Sequence, residues 1–189
     1  RTIKEFYTKL LGQDTIPEIF YDEGDINNLC KQINWLNADE ERLAAAVNGQ
    51  VFKDDLGIFT NIRNLLKEYY PVEVRYLKLA ESCALFSQTG QYNFKRMYDR
   101  GDTIAAAMEQ AKGVKETLKL INLINGKYCC HDKWLYKGTD FSGGFEAVPA
   151  LLRKICENAI NPANVSIFEE IATILTKRLY ADNYISDEE

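Results

Sequence analysis

Apolar residues recur every three or four positions over most of the chain, which is the spacing of amphipathic α-helices. The longest such stretch starts after Asp102 and ends at Asn125-Gly126. Asp102 is expected to cap this helix, because its carboxylate can accept the backbone N–H groups that a helix start leaves unpaired. A second long helix is predicted from about residue 73 to residue 99. The two helices would then meet at Arg100-Gly101-Asp102.

The same spacing predicts shorter helices before and after this pair. They cover residues 3–11, 26–36, 43–47, 62–69, 145–159 and 165–179. Asn37 or Asp39 is expected to cap the third of them and Thr60 the fourth, which Pro71 would end because proline lacks the N–H that a helix uses. Residues 13–25 are acidic and are interpreted as a solvated loop. A cation site there is the alternative, although the acidic spacing matches no ligand loop.

One passage resembles a pair of short strands. Val51-Phe52 and Ile58-Phe59 flank a turn-rich spacer, which predicts a small β-hairpin near residues 50–59. Asp54-Asp55 in the spacer are interpreted as turn residues rather than a metal-binding pair, because Asp is favoured in turns. The fold class predicted is therefore all-α, a multi-helix bundle of about eight helices. We expect one domain over residues 1–189, with a frayed acidic end at 187–189.

Composition narrows the classes of function. The net charge of −5 and the pI near 5.1 argue against general nucleic-acid binding, which needs clustered positive charge. No run of about 18 apolar residues is present, so no membrane-spanning helix is expected. The 5 cysteines include no CxxC pair, which favours a reducing cytoplasm. The chain starts at Arg1 without an apolar leader, which suggests that it was cut from a longer protein.

Four metal-capable side chains stand in a row at Cys129-Cys130-His131-Asp132. A zinc site or a Cys-His nucleophile pair would use these residue types. Neighbouring side chains diverge, however, and no second cysteine or histidine pair stands nearby in sequence. We therefore predict no metal site and no catalytic residue in this chain, and the role of these four residues stays open.

The end of the first long helix is unusually polar. Gln88, Tyr92, Arg96 and Arg100 step by four and so lie along one slowly rotating face. Two arginines on one face can present paired donors to a phosphate or a carboxylate. The alternative is a structural network in which Asp99 and Asp102 neutralise the two arginines.

A polar, aromatic turn after the second long helix ends in Lys133-Trp134. These two residues could close the same pocket, with the indole as a flat face for stacking, although a buried tryptophan that anchors the core is the alternative. The predicted substrate- or nucleotide-binding residues are Gln88, Tyr92, Asn93, Arg96, Arg100, Asp102, Lys133 and Trp134.

Three ordered passages carry a resemblance to a known family. They are LAAAVNGQVFKDDLGIFTNIRNLLKEYYP, QTGQYNFKRMYDRGD and INGKYCCHDKWLYKG. Together they resemble a bacterial helical domain of unknown function, family 4037, and the likeness extends from about residue 3 to about residue 180. The family usually has a proline and aromatic residues before the Lys-Trp pair, where this chain has Cys130-His131-Asp132. No family role therefore passes to those three residues.

The resemblance implies an all-helical C-terminal domain that follows a nucleotidyltransferase domain in the same polypeptide. Its layout would be similar to the helical half of aminoglycoside nucleotidyltransferases. In such enzymes the other half holds Mg²⁺ and the nucleoside triphosphate with a Gly-Ser turn and a pair of aspartates. This chain has no Gly-Ser followed by Asp-x-Asp, so we expect no cofactor in it and no catalysis by it alone. A helical protein–protein interaction or regulatory module is the alternative.

Overall fold

The prediction of an all-α fold is confirmed. The computed structural model describes residues 2–12 and 33–186, and within these ranges there is no strand. Eight helices are present there if Val72–Asp99 is counted as one continuous helix. The elements are α1 (Ile3–Leu11), α2 (Glu40–Val47), α3 (Ile58–Lys67), α4 (Val72–Phe86), a π-helical segment (Ser87–Asn93), α5 (Phe94–Asp99), α6 (Thr103–Ile124), α7 (Asp132–Gly138), α8 (Val148–Glu157) and α9 (Asn164–Ala181). None of these helices is long and apolar enough to cross a membrane.

Most predicted helix ends agree with the structure. Asp39 caps α2 through N–H groups of the first turn, and Asp102 caps α6. The acidic connector at 13–25 and the acidic end at 187–189 lie outside the described residues, as does most of the helix predicted at 26–36. Its last residues form turns rather than helix. The turn predicted to end in Lys133-Trp134 is also wrong in part, because both residues lie in α7.

The predicted hairpin at 50–59 is wrong. Ile58 is the first residue of α3, and the positive φ of +70° at Gly57 turns the chain into that helix. Thr60 does not cap α3 but lies inside it, where its N–H donates to the carboxylate of Asp54 at 2.7 Å. That hydrogen bond lowers the pKa of Asp54 below its ordinary value. Residues 51–54 form no strand, and Phe52 is 91% exposed, so burial of this residue does not stabilise a hairpin.

The chain divides into two compact units. The first unit comprises Arg1–Arg75 and Gly126–Trp134, and the second comprises Tyr76–Asn125 and Leu135–Glu189. The expectation of one domain that forms the C-terminal part of a longer protein stays a prediction.

The first unit has an aromatic core. Ring centroids of Tyr69, Tyr70 and Tyr128 lie 4.6 to 5.0 Å apart, and Trp35 packs edge-on against Tyr70 at 5.7 Å. The Tyr128 hydroxyl donates to the carbonyl of Leu66 at 2.8 Å, which ties this segment to α3. Burial raises the pKa of the Tyr69 and Tyr70 hydroxyls well above their ordinary value, so both stay protonated.

The second unit is packed around a crossing of two glycines and one phenylalanine. A Cβ added to Gly90 in the π segment would lie 2.7 Å from Cδ1 of Phe168 on α9. A Cβ added to Gly113 on α6 would lie 2.8 Å from the Cα of Gly90. Phe86 and Phe94 meet the same ring edge-on, with centroids 6.0 and 6.4 Å away. Glycine is therefore required at both positions, and the crossing fixes the π segment against α6 and α9.

Candidate functional site

The polar residues singled out from the sequence begin in the π segment, Ser87–Asn93. Its hydrogen bonds reach one residue further than in an α-helix, and the Phe94 N–H donates to the carbonyl of Thr89, five residues back. The Thr89 hydroxyl also donates to the carbonyl of Leu85 at 2.7 Å, which supports the helix where the segment begins. A π turn takes in one extra residue, so every side chain after it is rotated backwards by roughly 100° relative to a regular α-helix.

That rotation explains the pattern of burial around the segment. Ser82, Phe86, Gly90 and Phe94 are all buried, and they step by four. In a regular α-helix a step of four drifts by about 40°, so three steps would spread these residues over about 120°. The extra residue of the π turn brings Phe94 back to within about 20° of Ser82. The buried residues therefore stay on one face although their spacing is too long for an α-helix.

The opposite face is the candidate site, which we call the polar strip and define as Gln88, Tyr92, Arg96 and Arg100. All four side chains are exposed, and the π turn limits their drift as it does on the buried face. The guanidinium carbon of Arg96 lies 5.6 Å from the centroid of the Tyr92 ring, a cation–π distance. Its Nη1 donates to the Tyr92 hydroxyl at 3.4 Å. The strip therefore contains one arginine that is positioned by an aromatic ring.

The acidic residues nearby do not neutralise the two arginines. Asp99 instead forms an ion pair with Lys95 at 2.5 Å, one helical turn away. Asp102 accepts the N–H of Ala105 at 2.9 Å and so caps α6. Within residues 2–12 and 33–186, no carboxylate lies within ion-pair distance of Arg96 or Arg100. The alternative network with Asp99 and Asp102 is therefore wrong for the described part of the chain.

The other predicted site residues are placed as follows. Asn93 is half-buried at the end of the π segment, beside the polar strip. Lys133 and Trp134 belong to the first unit, where the Lys133 Nζ lies 5.9 Å from the Trp134 ring. The Trp134 side chain is 52% exposed, so it does not anchor the core. A pocket that combines these two residues with the polar strip stays a prediction.

The run Cys129-Cys130-His131-Asp132 leads into α7, which begins at Asp132. Cys129 is buried and Cys130 is half-buried. His131 accepts the N–H of Lys133 on its Nδ1 at 3.3 Å and the N–H of Trp134 on its carbonyl at 2.8 Å. In the part of the chain that the structure describes, no group of three His, Cys, Asp or Glu side chains could hold a metal ion.

Sequence reasoning missed two features around the strip. The ion pair between Lys95 and Asp99 was not expected, although the spacing of four residues between them is typical of such pairs on a helix. Ile104 and Met108 fit the apolar period of α6, yet they are 76% and 57% exposed. Their helical period was correct, but periodicity cannot show whether a neighbouring element covers a face.

A comparison with protein families gives a match that includes the π segment and the start of α7. A family described as a domain of unknown function, DUF4037, matches residues 35–135. The chain belongs to this family. The match contains all eight predicted site residues of this DUF4037 chain, from Gln88 to Trp134. No curated protein and no solved structure matches the chain.

Proposed function

We propose that this DUF4037 chain is the substrate- or nucleotide-contacting helical domain of a nucleotidyltransferase-like protein. One observation supports the proposal most directly: Arg96 is positioned on Tyr92 and has no carboxylate partner among the described residues. At an exposed position an ion pair adds little stability, because water already solvates the charges. An arginine fixed by a ring and left without a counter-charge is suited to bind an anion from outside.

The division of labour follows from the chemistry of nucleotidyl transfer. The reaction needs a metal ion and fixed donors around the α-phosphate, together with a surface that orients the acceptor. In our proposal an N-terminal nucleotidyltransferase domain of the same bacterial, cytoplasmic polypeptide supplies Mg²⁺ and the nucleoside triphosphate. The DUF4037 chain supplies a surface that contacts and orients the acceptor or the nucleotide, and it is not catalytic by itself. Among the described residues, Cys83, Cys130 and Cys156 are free cysteines, which is compatible with a reducing compartment.

The test is a calorimetric titration of the chain with ATP, GTP, CTP and UTP, with and without Mg²⁺. Substitution Arg96→Gln should weaken the tightest ligand by roughly tenfold, since a charge-assisted hydrogen bond contributes about 1.5 to 3 kcal/mol and exposure reduces that. Its melting temperature should be almost unchanged, because Arg96 is on the surface. The matched control is Arg153→Gln, which removes an exposed arginine of α8. Equal losses in both variants would show that only net charge matters and would contradict the proposal.

A second candidate is the interaction or regulatory module, and exposed apolar side chains favour it. Ile104 and Met108 on α6 are 76% and 57% exposed, and Leu77 and Leu85 on α4 are 58% and 40% exposed. Sedimentation of the chain at increasing concentration is the direct measurement. Self-association that Ile104→Ser abolishes and Arg96→Gln leaves unchanged would favour this role over ligand binding.

A further inference from the structure

The polar strip has a direction as well as a charge. Along the chain it presents an amide at Gln88, a ring at Tyr92, and guanidinium groups at Arg96 and Arg100. Successive members are about 6 Å apart along the helix axis, because four residues rise by about that distance. One end of the strip can therefore hydrogen-bond and stack, and the other end is cationic.

We propose that the strip binds a nucleoside polyphosphate in one orientation, with its base at Gln88 and Tyr92 and its phosphates at Arg96 and Arg100. This inference rests on the proposed function and specifies the ligand of the same surface. It requires a ligand with at least two phosphate groups, because the two arginines are separated by a full helical turn. A monophosphate would engage Arg96 alone.

The exposure of Tyr92 indicates which end of the strip binds the base. Tyr92 is 54% exposed, so part of its surface stays available for stacking while Arg96 lies against its ring. Stacking on an aromatic ring tolerates any base, since every base has a π-face. Gln88 is exposed one turn earlier and carries both donors and an acceptor for the edge of a base.

The phosphate end is assigned from the charges around the two arginines. Lys95, the other cation of α5, is already paired with Asp99 at 2.5 Å. Arg96 and Arg100 have no such partner among residues 2–12 and 33–186, so they are the cations of this helix that can bind a ligand. Each guanidinium can donate two parallel hydrogen bonds to one phosphate group. Two neighbouring phosphates therefore match two arginines one turn apart.

An extended single-stranded nucleic acid fits the strip less well. Its bases and phosphates alternate, so it would need several stacking rings along a basic groove. The strip has one ring followed by two guanidinium groups, and the chain carries a net charge of −5. The arrangement thus favours a mononucleotide with a short phosphate chain.

The experiment measures binding of adenosine, AMP, ADP, ATP and inorganic pyrophosphate to the whole chain in EDTA, and repeats the series with uridine compounds. The proteins are the wild type, Tyr92→Leu, Arg96→Gln, Arg100→Gln and the control Arg153→Gln. We expect affinity to rise roughly tenfold from AMP to ADP and to change little from ADP to ATP, because only two guanidinium groups are present. Arg100→Gln should abolish the advantage of ADP over AMP and leave AMP binding unchanged. Tyr92→Leu should weaken ADP more than pyrophosphate.

The outcomes separate the two proposals. If no nucleotide binds the wild type, or if Arg96→Gln has no effect, the proposed function itself is overturned. If nucleotides bind but AMP and ADP bind equally, or if Arg100→Gln weakens both alike, the orientation is overturned and the proposed function survives. Tighter binding of a short oligonucleotide than of ADP would also overturn the choice of ligand.

Discussion

The two faces of the π segment follow opposite rules. On the inner face, Gly90 meets Phe168 and Gly113 so closely that no methyl group fits. On the outer face, Gln88 and Tyr92 are exposed and could be replaced without any steric conflict. Both faces belong to one stretch of seven residues, Ser87–Asn93. The packing of the inner face therefore determines where the outer side chains are, while the outer side chains determine which ligand groups can be bound.

This contrast predicts that the two faces fail in different ways. Changes at Gly90 or Gly113 should lower stability and affect binding only as far as the fold is lost. Changes at Tyr92, Arg96 or Arg100 should lower binding and leave stability almost intact. If the outer face served only solubility, substitutions there would lower neither binding nor stability.

The largest effect is expected for Gly113→Ala. Its Cβ would lie 2.8 Å from the Cα of Gly90 and 2.9 Å from Cζ of Phe168, and the backbone of the π segment cannot move aside cheaply. Such overpacking typically costs about 1 to 3 kcal/mol, against about 1 kcal/mol gained from helix propensity. We expect a net loss of up to about 2 kcal/mol, measured by urea unfolding.

A control on the same helix fixes the scale of helix propensity. Ala111 is exposed, so Ala111→Gly should destabilise by about 1 kcal/mol through propensity alone. If Gly113→Ala stabilised the protein by a similar amount, the crossing would be looser than the structure indicates. A second control is Gly90→Ala, whose Cβ would lie nearest to three side-chain atoms of Phe168. Phe168→Leu should therefore rescue Gly90→Ala more fully than Gly113→Ala.

How much of this could be read from the sequence depends on the range of the interaction. The long helix α6 was predicted because its cap, Asp102, and its end at Asn125 are local signals. The hairpin at 50–59 was mispredicted because Asp54 bonds to Thr60 across six residues and organises the start of α3 instead. Short apolar pairs such as Val51-Phe52 are ambiguous until the position of the next helix is known.

The π segment was beyond prediction for a different reason. Its cause is tertiary, because Gly90 must meet Gly113 and Phe168, which lie far away in sequence. Only an indirect signal existed, namely the step of four in the buried residues Ser82, Phe86, Gly90 and Phe94. The residues of the polar strip could be listed from the sequence, but their alignment could not. Alignment depends on the π turn, which packing imposes.

A deletion tests whether that alignment matters. Removing the exposed residue Ser87 should convert the segment to a regular α-helix. The buried residues would then be spaced by four, three and four, which keeps them within about 30° of a common direction, so stability should fall little. The strip residues would keep steps of four and spread over about 120°. We expect ADP affinity to fall roughly tenfold.

Circular dichroism and the melting temperature serve as controls for the deletion, because a misfolded variant would lose binding for an unrelated reason. Unchanged affinity in a well-folded deletion variant would mean that the four side chains act independently. In that case the alignment imposed by the π turn would not be needed for binding, although the strip itself could still bind the ligand.

The smallest effect is expected at Lys95, next to Arg96 on the same helix. Lys95 forms its ion pair with Asp99 while both side chains remain about half exposed, at 52% and 53%. Exposed pairs one turn apart contribute no more than about 0.5 kcal/mol, because water screens the charges and the long side chains lose freedom. Lys95→Gln should therefore change the free energy of unfolding by less than about 0.5 kcal/mol. It should also change nucleotide affinity by less than about twofold, because the lysine is already neutralised by its partner.

Calorimetric titration of Lys95→Gln beside Arg96→Gln compares adjacent cations, of which only the lysine has a carboxylate partner among the described residues. A tenfold loss of affinity in both variants would show that the ligand responds to the summed charge of α5. The position of Arg96 on the Tyr92 ring would then make no contribution to binding.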